Sequence, residues 1–168
     1  LLDLFYTDMR RYAYSFQSYA FLTRLRIFDK IDRNADFVFI ERSIFADKEI
    51  FARNCYEQGI MTEIEWLLYN DHFNWMVDKC LPNIPSSTIY LHCTPEKCQE
   101  RLIRRGRREE ASISIEYLRT IHNRHEEWLT TDAMKCKKVL NAEVSVKMLK
   151  AQILAIVLDI KNNKSRRK

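Results

Sequence analysis

The stretch Phe37-Val38-Phe39-Ile40-Glu41-Arg42-Ser43 decides which class of fold the sequence belongs to. Its first four residues are apolar and β-prone, and such an uninterrupted run is typical of a strand buried on both faces of a parallel sheet. The polar residues that follow would lie at the carboxyl end of this strand, where open α/β sheets bind ligands. The stretch therefore predicts an α/β fold and makes Glu41 and Arg42 site candidates. A surface turn with an ion pair is the competing interpretation, and the stretch alone favours neither.

Helices and further strands alternate around this stretch. Thr88-Ile89-Tyr90-Leu91-His92 is a second β-prone run, and it predicts another core strand. Thr94 and Pro95 then supply a cap and a first-turn proline for a helix. Five helices are predicted: about residues 7–33, the segment from Thr62 towards Pro82, the segment from Pro95 towards Arg108, residues 115–129 and residues 144–160. Residues 137–140 are predicted to form a last short strand.

A capping box marks the start of the helix at Thr62. In this pattern the side chains of Thr62 and Glu65 satisfy free backbone amides of the first helical turn. The apolar residues Ile64, Leu67 and Leu68 share a side of this helix, and we expect that side to face the core.

Composition favours one mostly helical domain. The chain has 168 residues, of which 46% are hydrophobic, so it can bury a substantial core. Two glycines and three prolines are too few for an all-β fold with many tight turns. We expect one domain over residues 1–161 and a basic, disordered tail over residues 162–168.

Charge and cysteine usage limit the partners and the compartment. The net charge of +5 suits an anionic partner, but the excess lies in Arg101–Arg108 and Lys161–Lys168, so stable binding of an extended nucleic acid is not expected. No apolar segment approaches the roughly 20 residues of a membrane span, which predicts a soluble protein that does not insert into a membrane. Five scattered cysteines form no CxxC pair, which favours reduced thiols and a cytoplasmic location.

Arginines cluster around Gly106. A solvated helix end would explain such a cluster, yet guanidinium forks also match phosphate oxygens, and Gly106 permits a bend that could aim several of them at one ligand. A movable arginine-rich lid suits phosphoryl transfer, because its transition state is stabilised by positioning and charge. The cluster comprises Arg101, Arg104, Arg105, Arg107 and Arg108, followed by Glu109 and Glu110.

The first long helix carries a polar face. Gln17 and Arg24 are seven residues apart, about two turns, with the small Ala20 between them. This spacing leaves room for a planar ligand, and an amide can both donate to and accept from a nucleobase edge. A solvent-facing stripe would show the same pattern.

Together these segments resemble the deoxynucleoside kinase family, especially its deoxycytidine and deoxyguanosine kinase branch, over roughly residues 1–130. The resemblance implies a P-loop kinase-like parallel sheet flanked by helices and transfer of the γ-phosphoryl of ATP or another NTP, with Mg²⁺, to the 5′-hydroxyl of a deoxynucleoside. It also implies a homodimer. The matching runs are Tyr14-Ser15-Phe16-Gln17-Ser18-Tyr19-Ala20, Phe39-Ile40-Glu41-Arg42-Ser43, Arg105-Gly106-Arg107-Arg108-Glu109-Glu110, Glu65-Trp66, Tyr90-Leu91, Thr94-Pro95-Glu96 and Glu116-Tyr117-Leu118.

The resemblance implies a role for each matching position. The base would be hydrogen-bonded by Gln17 and stacked by Phe51, and the sugar 3′-hydroxyl would be held by Tyr6 and Glu110. The catalytic residues would be Arg42, which steadies the reacting phosphate and the 5′-oxygen, and Glu41, which helps to hold Mg²⁺. The lid arginines that close over the donor phosphates would be Arg101, Arg105 and Arg107.

Base preference is implied by three further positions. Ala20, Arg24 and Asp47 resemble the set found in the cytosine- and purine-accepting branch, in which Arg24 and Asp47 would pair at the base edge. We therefore expect deoxycytidine or a purine deoxynucleoside to be preferred to thymidine.

Two parts of the family pattern are missing from the 168 residues. The family begins with a strand and a GxxxxGK[ST] loop that cradles the donor phosphates, whereas the glycines here are Gly59 and Gly106, both far downstream. The resemblance also implies an upstream carboxylate that accepts the 5′-hydroxyl proton, and it too is missing. We expect a chain truncated at its amino terminus, with negligible turnover by itself. The alternative is a catalytically inactive nucleoside-binding or partner isoform, and a missing presequence would make the location mitochondrial.

Overall fold

The computed structural model describes residues 1–32, 34–80, 87–130 and 137–165, and for Thr130, Lys137 and residues 163–165 the backbone alone. Residues 47–52 form a π-helical turn, so that residues 44–57 are continuously helical. The elements are α1 Leu2–Thr7, α2 Met9–Leu25, a 3₁₀ turn Phe28–Lys30, α3 Ile44–Ala46, the π-helix Asp47–Ala52, α4 Arg53–Glu57, α5 Glu63–Cys80, β1 Thr88–His92, α6 Pro95–Arg105, a 3₁₀ turn Arg108–Glu110, α7 Ile115–Thr130, β2 Lys137–Asn141 and α8 Val146–Ser165.

The two strands form a parallel pair. Thr88 lies opposite Lys137 and His92 opposite Asn141, and the backbone N–H of Ala142 donates to the His92 carbonyl at 2.8 Å. Both strands stand where the sequence predicts them, and helices connect them as a parallel crossover requires. The mostly helical α/β class is confirmed.

The strand predicted at Phe37–Ile40 is wrong for this structure. None of these residues belongs to the two-stranded sheet, and Val38 and Phe39 are exposed by 46% and 67%. A buried parallel strand needs neighbouring strands to satisfy its backbone, and the described strands pair with each other. Glu41 and Arg42 thus follow an extended segment rather than a strand.

The long helix predicted at residues 7–33 is shorter in the structure, where α2 covers Met9–Leu25 and a 3₁₀ turn follows at Phe28–Lys30, and α1 before it was not predicted. Asp8 has non-helical backbone angles, and its carboxylate accepts a hydrogen bond from the Arg11 backbone N–H at 3.1 Å. Asp8 therefore ends α1 and caps α2, because a short acidic side chain satisfies the free amides of a first turn. The second helix ends at Leu25, well before Asn34.

The capping box at the start of α5 is confirmed. The Glu65 carboxylate accepts from the Thr62 backbone N–H at 2.8 Å, and the Thr62 hydroxyl accepts from the Glu65 N–H at 3.3 Å. The predicted inward face is wrong, because Ile64, Leu67 and Leu68 are exposed by 61%, 57% and 43%. The buried side instead carries Tyr69 and Phe73, with Trp66 and Met76 packed beside them.

The second half of the chain follows the predicted order. Thr94 caps α6 with Pro95 in its first turn, and Gly106 ends it in the left-handed conformation, with φ 66°. Helix α8 extends to Ser165, through part of the predicted tail at 162–168; residues 166–168, like Pro82, lie outside the described part of the chain. Among the described residues, no helix has the length and apolar character needed to cross a membrane.

The core lies where α2 packs against residues 44–57 and α5. Apolar side chains from all three meet there, and their burial removes the largest share of apolar surface from water. The main buried cluster consists of Phe21, Leu25, Ile44, Ala52, Tyr69 and Phe73, and a second one consists of Phe5, Ala13, Cys55 and Met61. This packing fixes α2 beside the helical stretch that carries Asp47 and Phe51.

Candidate active site

An ion pair joins the end of α2 to the π-helical turn. Arg24 Nε lies 2.5 Å from an Asp47 carboxylate oxygen, and Arg24 Nη1 donates to the Glu41 carbonyl at 2.6 Å. Asp47 is buried, so desolvation raises the pKa of its carboxyl, while the charge and hydrogen bond of Arg24 act to lower it. Two residues predicted to select the base are therefore in contact. Through its bond to the Glu41 carbonyl, Arg24 also holds the backbone next to Arg42.

Gln17 lies two turns earlier on α2, buried at 4% exposure. Its Nε2 lies 3.7 Å from the Cys55 sulfur on α4, and the pKa of that thiol is raised to about 11, chiefly by burial. Within the described residues this is the side-chain amide's one hydrogen bond, and sulfur is a weak acceptor. The amide therefore keeps most of its hydrogen-bonding capacity for a ligand.

Arg42 has a backbone conformation that is uncommon for its residue type. Its φ is 58°, and its guanidinium lies over the Phe51 ring, 4.2 Å from the ring centroid. Desolvation lowers the pKa of Arg42 although the residue keeps exposed surface, and the Asp47 charge acts in the opposite direction. Within the part of the chain that the structure describes, the stacked guanidinium makes no hydrogen bond, so its N–H groups can bind an anion while its face covers Phe51.

Tyr6 and Glu110 come together from distant parts of the sequence. Helix α1 contacts the 3₁₀ turn Arg108–Glu110, and Glu110 is buried at 6% exposure. Desolvation raises the pKa of Tyr6, and the Glu110 charge raises it further, whereas Arg42 and Arg105 lower it. A buried carboxylate beside a neutral phenol is a suitable partner for a ligand hydroxyl.

The predicted lid arginines divide into two groups. Arg105 Nη2 and Arg107 Nη1 both pair with the Glu110 carboxylate, while their side chains stay 49% and 57% exposed. Arg101 instead faces the sheet, where Nη2 donates to the Ala142 carbonyl at 2.6 Å and Nη1 to the Cys93 sulfur at 3.5 Å. Arg105 and Arg107 are therefore linked to the sugar-binding candidates, which sequence reasoning did not anticipate, and Arg101 is held elsewhere.

Sequence reasoning assigned no role to Tyr117, which belongs to the same cluster. Burial raises the pKa of its phenol, the neighbouring Tyr6 and Cys55 raise it further, and Arg42 lowers it. Tyr117 lies on α7 beside Arg42, within the run Glu116-Tyr117-Leu118 that resembles the kinase family. Tyr117 lies on the inner side of an amphipathic helix, and this position could have marked it as a site residue. The same position is equally typical of a core residue.

A second network braces the helical stretch behind the site. Arg124 on α7 donates from Nε to the buried Asn54 side chain at 2.8 Å and from Nη2 to Glu57 at 2.7 Å. Hydrogen bonds from Arg124 and then Arg53 lower the pKa of Glu57. These contacts hold α4 against α7 and so keep Phe51, one turn earlier, in place.

Glu41 is the candidate for holding Mg²⁺. Its side chain is exposed, next to Arg42. Mg²⁺ accepts one or two carboxylates when phosphate oxygens and water complete its octahedral shell, so an accessible carboxylate here fits that ion.

An apolar cavity among the described residues lies elsewhere. It has a volume of about 200 Å³ and sits between α2 and α5, apart from the predicted substrate residues. Its walls are almost wholly apolar, so it offers no chemistry for a nucleoside or a phosphate. The lining residues are Ser18, Phe21, Leu22, Tyr69, His72 and Met76.

Comparison with known proteins gives consistent matches. A family model described as deoxynucleoside kinase matches residues 1–165. Deoxycytidine kinase 2 of Gallus gallus is 38% identical over 171 residues, covering 98% of this chain and 63% of that protein. The mitochondrial deoxyguanosine kinase of Xenopus laevis is 34% identical over 171 residues, covering 97% and 62%, and the deoxycytidine kinase of Homo sapiens is 38% identical over 142 residues, covering 80% and 55%. The chain thus spans between 55% and 63% of the length of these relatives.

Proposed function

Because this chain belongs to the deoxynucleoside kinase family, we propose that it supplies the deoxynucleoside site and the lid of an enzyme that phosphorylates the 5′-hydroxyl of a deoxynucleoside. The phosphoryl donor in this proposal is ATP or another nucleoside triphosphate. The preferred acceptor is deoxycytidine or a purine deoxynucleoside.

The observation that carries the proposal is the meeting of four sequence segments at Arg42. Its guanidinium stacks on Phe51 and interacts electrostatically with Asp47, Tyr6 and Tyr117. A site for nucleoside phosphorylation needs four groups next to one another: a ring that stacks on the base, polar groups for the base edge, a partner for the sugar hydroxyl and a cation for the phosphate. This cluster offers all four from residues 1–120.

The polar base edge is the part that bears on substrate choice. The Arg24–Asp47 pair presents a donor and an acceptor, and Gln17 lies two turns before Arg24 on α2. Cytosine and purine edges carry amino groups and ring nitrogens that can exchange hydrogen bonds with such a set. The 5-methyl group of thymine offers no hydrogen bond, so placing it against a buried pair would leave charge unsatisfied.

The 5′ end of the nucleoside would lie towards Arg42 and Glu41. Arg42 would hold the reacting oxygen and the transferring phosphoryl group through its free N–H groups, because a guanidinium stabilises developing negative charge. Glu41 would hold Mg²⁺, which neutralises charge on the donor phosphates when bound. Arg105 and Arg107 would reach the donor from the far side, and their pairing with Glu110 links lid position to an occupied sugar site.

A homodimer is part of the proposal, and α5 provides the surface for it. Ile64, Leu67, Leu68 and Trp75 form one stripe on this helix and are exposed by 61%, 57%, 43% and 61%. Their spacing at i, i+3, i+4 and i+11 matches a helix that packs along its length against another helix. Contiguous apolar exposure of this kind marks an interaction surface, and a second copy of α5 would present the matching stripe.

The experiment for the acceptor site is calorimetric titration of the 168-residue chain with deoxycytidine, deoxyguanosine and thymidine. We expect the first two to bind and thymidine to bind more weakly. Gln17→Leu should abolish this preference, because it removes the amide without changing side-chain length much. His72→Gln on the exposed side of α5 is the matched control. Equal affinities for all three nucleosides in the parent would refute the assignment of the base edge.

A further inference from the structure

A cluster of two imidazoles and one carboxylate lies where β1 ends against α7. The ligand atoms of His92, His122 and Glu126 are all within 4.8 Å of one another, and none of these residues belongs to the nucleoside or phosphate sites described above. We propose that they bind a divalent transition-metal ion, with Zn²⁺ as the fitting example.

The backbones of β1 and α7 bring the three side chains together. His122 and Glu126 are four residues apart on α7, so they project from one face of the helix. His92 is the last residue of β1, and its carbonyl is tied to Ala142 beyond β2. The ring centroids of His92 and His122 are 5.4 Å apart, and the angle between the ring planes is 68°. His92 Nε2 lies 3.8 Å from Glu126 Oε1.

The distances suit an ion that would draw the ligands together. Zn²⁺ bound tetrahedrally at about 2.0–2.1 Å brings its ligand atoms to about 3.4 Å from one another. The ligand atoms, now up to 4.8 Å apart, therefore need to approach one another by about 1.4 Å, and side-chain rotation supplies a movement of this size. The His92 side chain can supply this rotation, because it is 37% exposed.

Tyr90 orients the carboxylate as an outer partner of a metal site would. Its hydroxyl donates to Glu126 Oε1 at 2.7 Å, and its ring stacks on His125 at 6.0 Å between centroids. Ligating carboxylates are commonly oriented by such hydrogen bonds. The site thus has three protein ligands and one open side.

The ligand chemistry selects the class of ion. Imidazole nitrogens suit Zn²⁺, Co²⁺, Ni²⁺ and Cu²⁺, whereas Mg²⁺ prefers oxygen ligands and an octahedral shell. The proposed site is therefore separate in chemistry from the magnesium that Glu41 would hold. Bound metal would join the end of β1 to the middle of α7.

Two thiols close to the cluster must be distinguished from it. Cys93 follows His92 directly, and it lies near enough to Cys98 to help burial raise the pKa of the Cys98 thiol. Thiolates are good zinc ligands. The Cys93 sulfur, however, accepts from Arg101, and the group of converging ligands found in the described residues contains neither thiol.

Titration of the 168-residue chain with Zn²⁺ tests the site, followed by calorimetry and by the melting temperature. We expect one bound ion per chain, a raised melting temperature and a tetrahedral visible spectrum with Co²⁺. His122→Gln and His92→Gln should each weaken Zn²⁺ binding at least about tenfold, and Tyr90→Phe should weaken it less. Excess Mg²⁺ should not compete.

Matched variants separate this site from the alternatives. His72→Gln removes an exposed histidine of α5, and the double change Cys93→Ser with Cys98→Ser removes the thiols; both should keep the parental affinity. Binding that survives in the His92 and His122 variants, or is lost with the two thiols, would overturn the proposal. Should a histidine variant fail to fold by circular dichroism, Glu126→Gln decides: unchanged Zn²⁺ stabilisation in that variant would equally refute the site.

Discussion

Arg24 and Asp47 are bound to each other, with Nε and a carboxylate oxygen 2.5 Å apart, but the two partners are not equivalent. The Arg24 side chain keeps 20% of its surface exposed and also donates to the Glu41 carbonyl, whereas that of Asp47 is 3% exposed. Loss of Asp47 leaves an arginine with a second partner and access to water. Loss of Arg24 leaves a buried carboxylate without its nearest counter-charge.

Arg24→Met should therefore lower the free energy of unfolding at pH 7 more than Asp47→Ala does. We expect a cost of about 3 kcal/mol for Arg24→Met, the lower end of what breaking a buried pair costs, because Arg42 remains as a weaker counter-charge. Urea denaturation of both variants measures the difference. Equal losses, or a smaller loss in Arg24→Met, would contradict the asymmetry.

The same variant makes a prediction about pH. The pKa of Asp47 is raised in the folded chain, chiefly by desolvation, and removing Arg24 removes the partner that opposes this shift. Because the pKa of this carboxyl is higher in the folded state than in the unfolded state, the folded state takes up the proton at a higher pH. The free energy of unfolding therefore rises as the pH falls from the pKa of the folded state towards that of the unfolded state. The deficit of Arg24→Met should therefore shrink as the pH is lowered from 7 towards the ordinary pKa of an aspartate. Arg24→Met combined with Asp47→Asn should lose this dependence.

The base-edge pair also makes a prediction about selectivity. Replacing Arg24 by Met together with Asp47 by Ala should shift preference towards thymidine, because the variant no longer buries a charge against the thymine methyl group. Each single change should impair binding of all nucleosides. The measurement is the ratio of kcat/KM values for deoxycytidine and thymidine in a loop-complete protein. This means these 168 residues preceded in frame by the amino-terminal segment of a relative, which supplies the strand, the GxxxxGK[ST] loop and the carboxylate that accepts the 5′-hydroxyl proton. An unchanged ranking would remove both residues as selectors.

Glu110 and Tyr6 lead to a prediction about the sugar. Glu110→Ala should weaken deoxynucleoside binding by about 1.5–3 kcal/mol, the contribution of a hydrogen bond to a charged group, and Tyr6→Phe should weaken it less. A 2′,3′-dideoxynucleoside is the sharper probe, since it lacks the hydroxyl. The parent should discriminate against it, and Glu110→Ala should not. Discrimination that persists in Glu110→Ala would place the hydroxyl elsewhere.

The apolar stripe of α5 makes a prediction about assembly. Leu67→Glu should convert a dimer to a monomer in sedimentation equilibrium, because it buries a charge in the proposed interface. Ile103→Glu is the matched control, as Ile103 is 70% exposed on α6, outside the stripe. A monomeric parent, or a dimer that tolerates Leu67→Glu, would contradict the proposed surface.

Local sequence signals predicted the elements whose ends are set by neighbouring residues. The capping box at Thr62, the cap at Thr94 and the strand at Thr88–His92 all stand where expected, because hydroxyl caps and β-branched runs act over a few residues. Asp8 was overlooked as a cap, and α1, the short helix that ends there, was not predicted.

Features that depend on distant partners could not be read in this way. The run Phe37–Ile40 has strand-like composition, but a strand forms only when another strand pairs with it. Helix α5 carries apolar residues on two sides, and periodicity cannot tell whether Leu67 or Phe73 faces the core. The pairing of Glu110 with Arg105 likewise depends on how the chain bends at Gly106.

Phosphoryl transfer by the loop-complete protein tests the account most directly, with Arg42→Gly as its decisive variant. Arg42 has a φ of 58°, which glycine adopts without strain, so the variant should fold with a melting temperature close to that of the parent. We predict transfer from ATP to deoxycytidine or deoxyguanosine in the parent, and a kcat about 10²–10³-fold lower in Arg42→Gly at similar nucleoside affinity, because the charge on the transferring group loses its guanidinium. A parent without transfer to any deoxynucleoside, or an Arg42→Gly variant with full kcat, would contradict it.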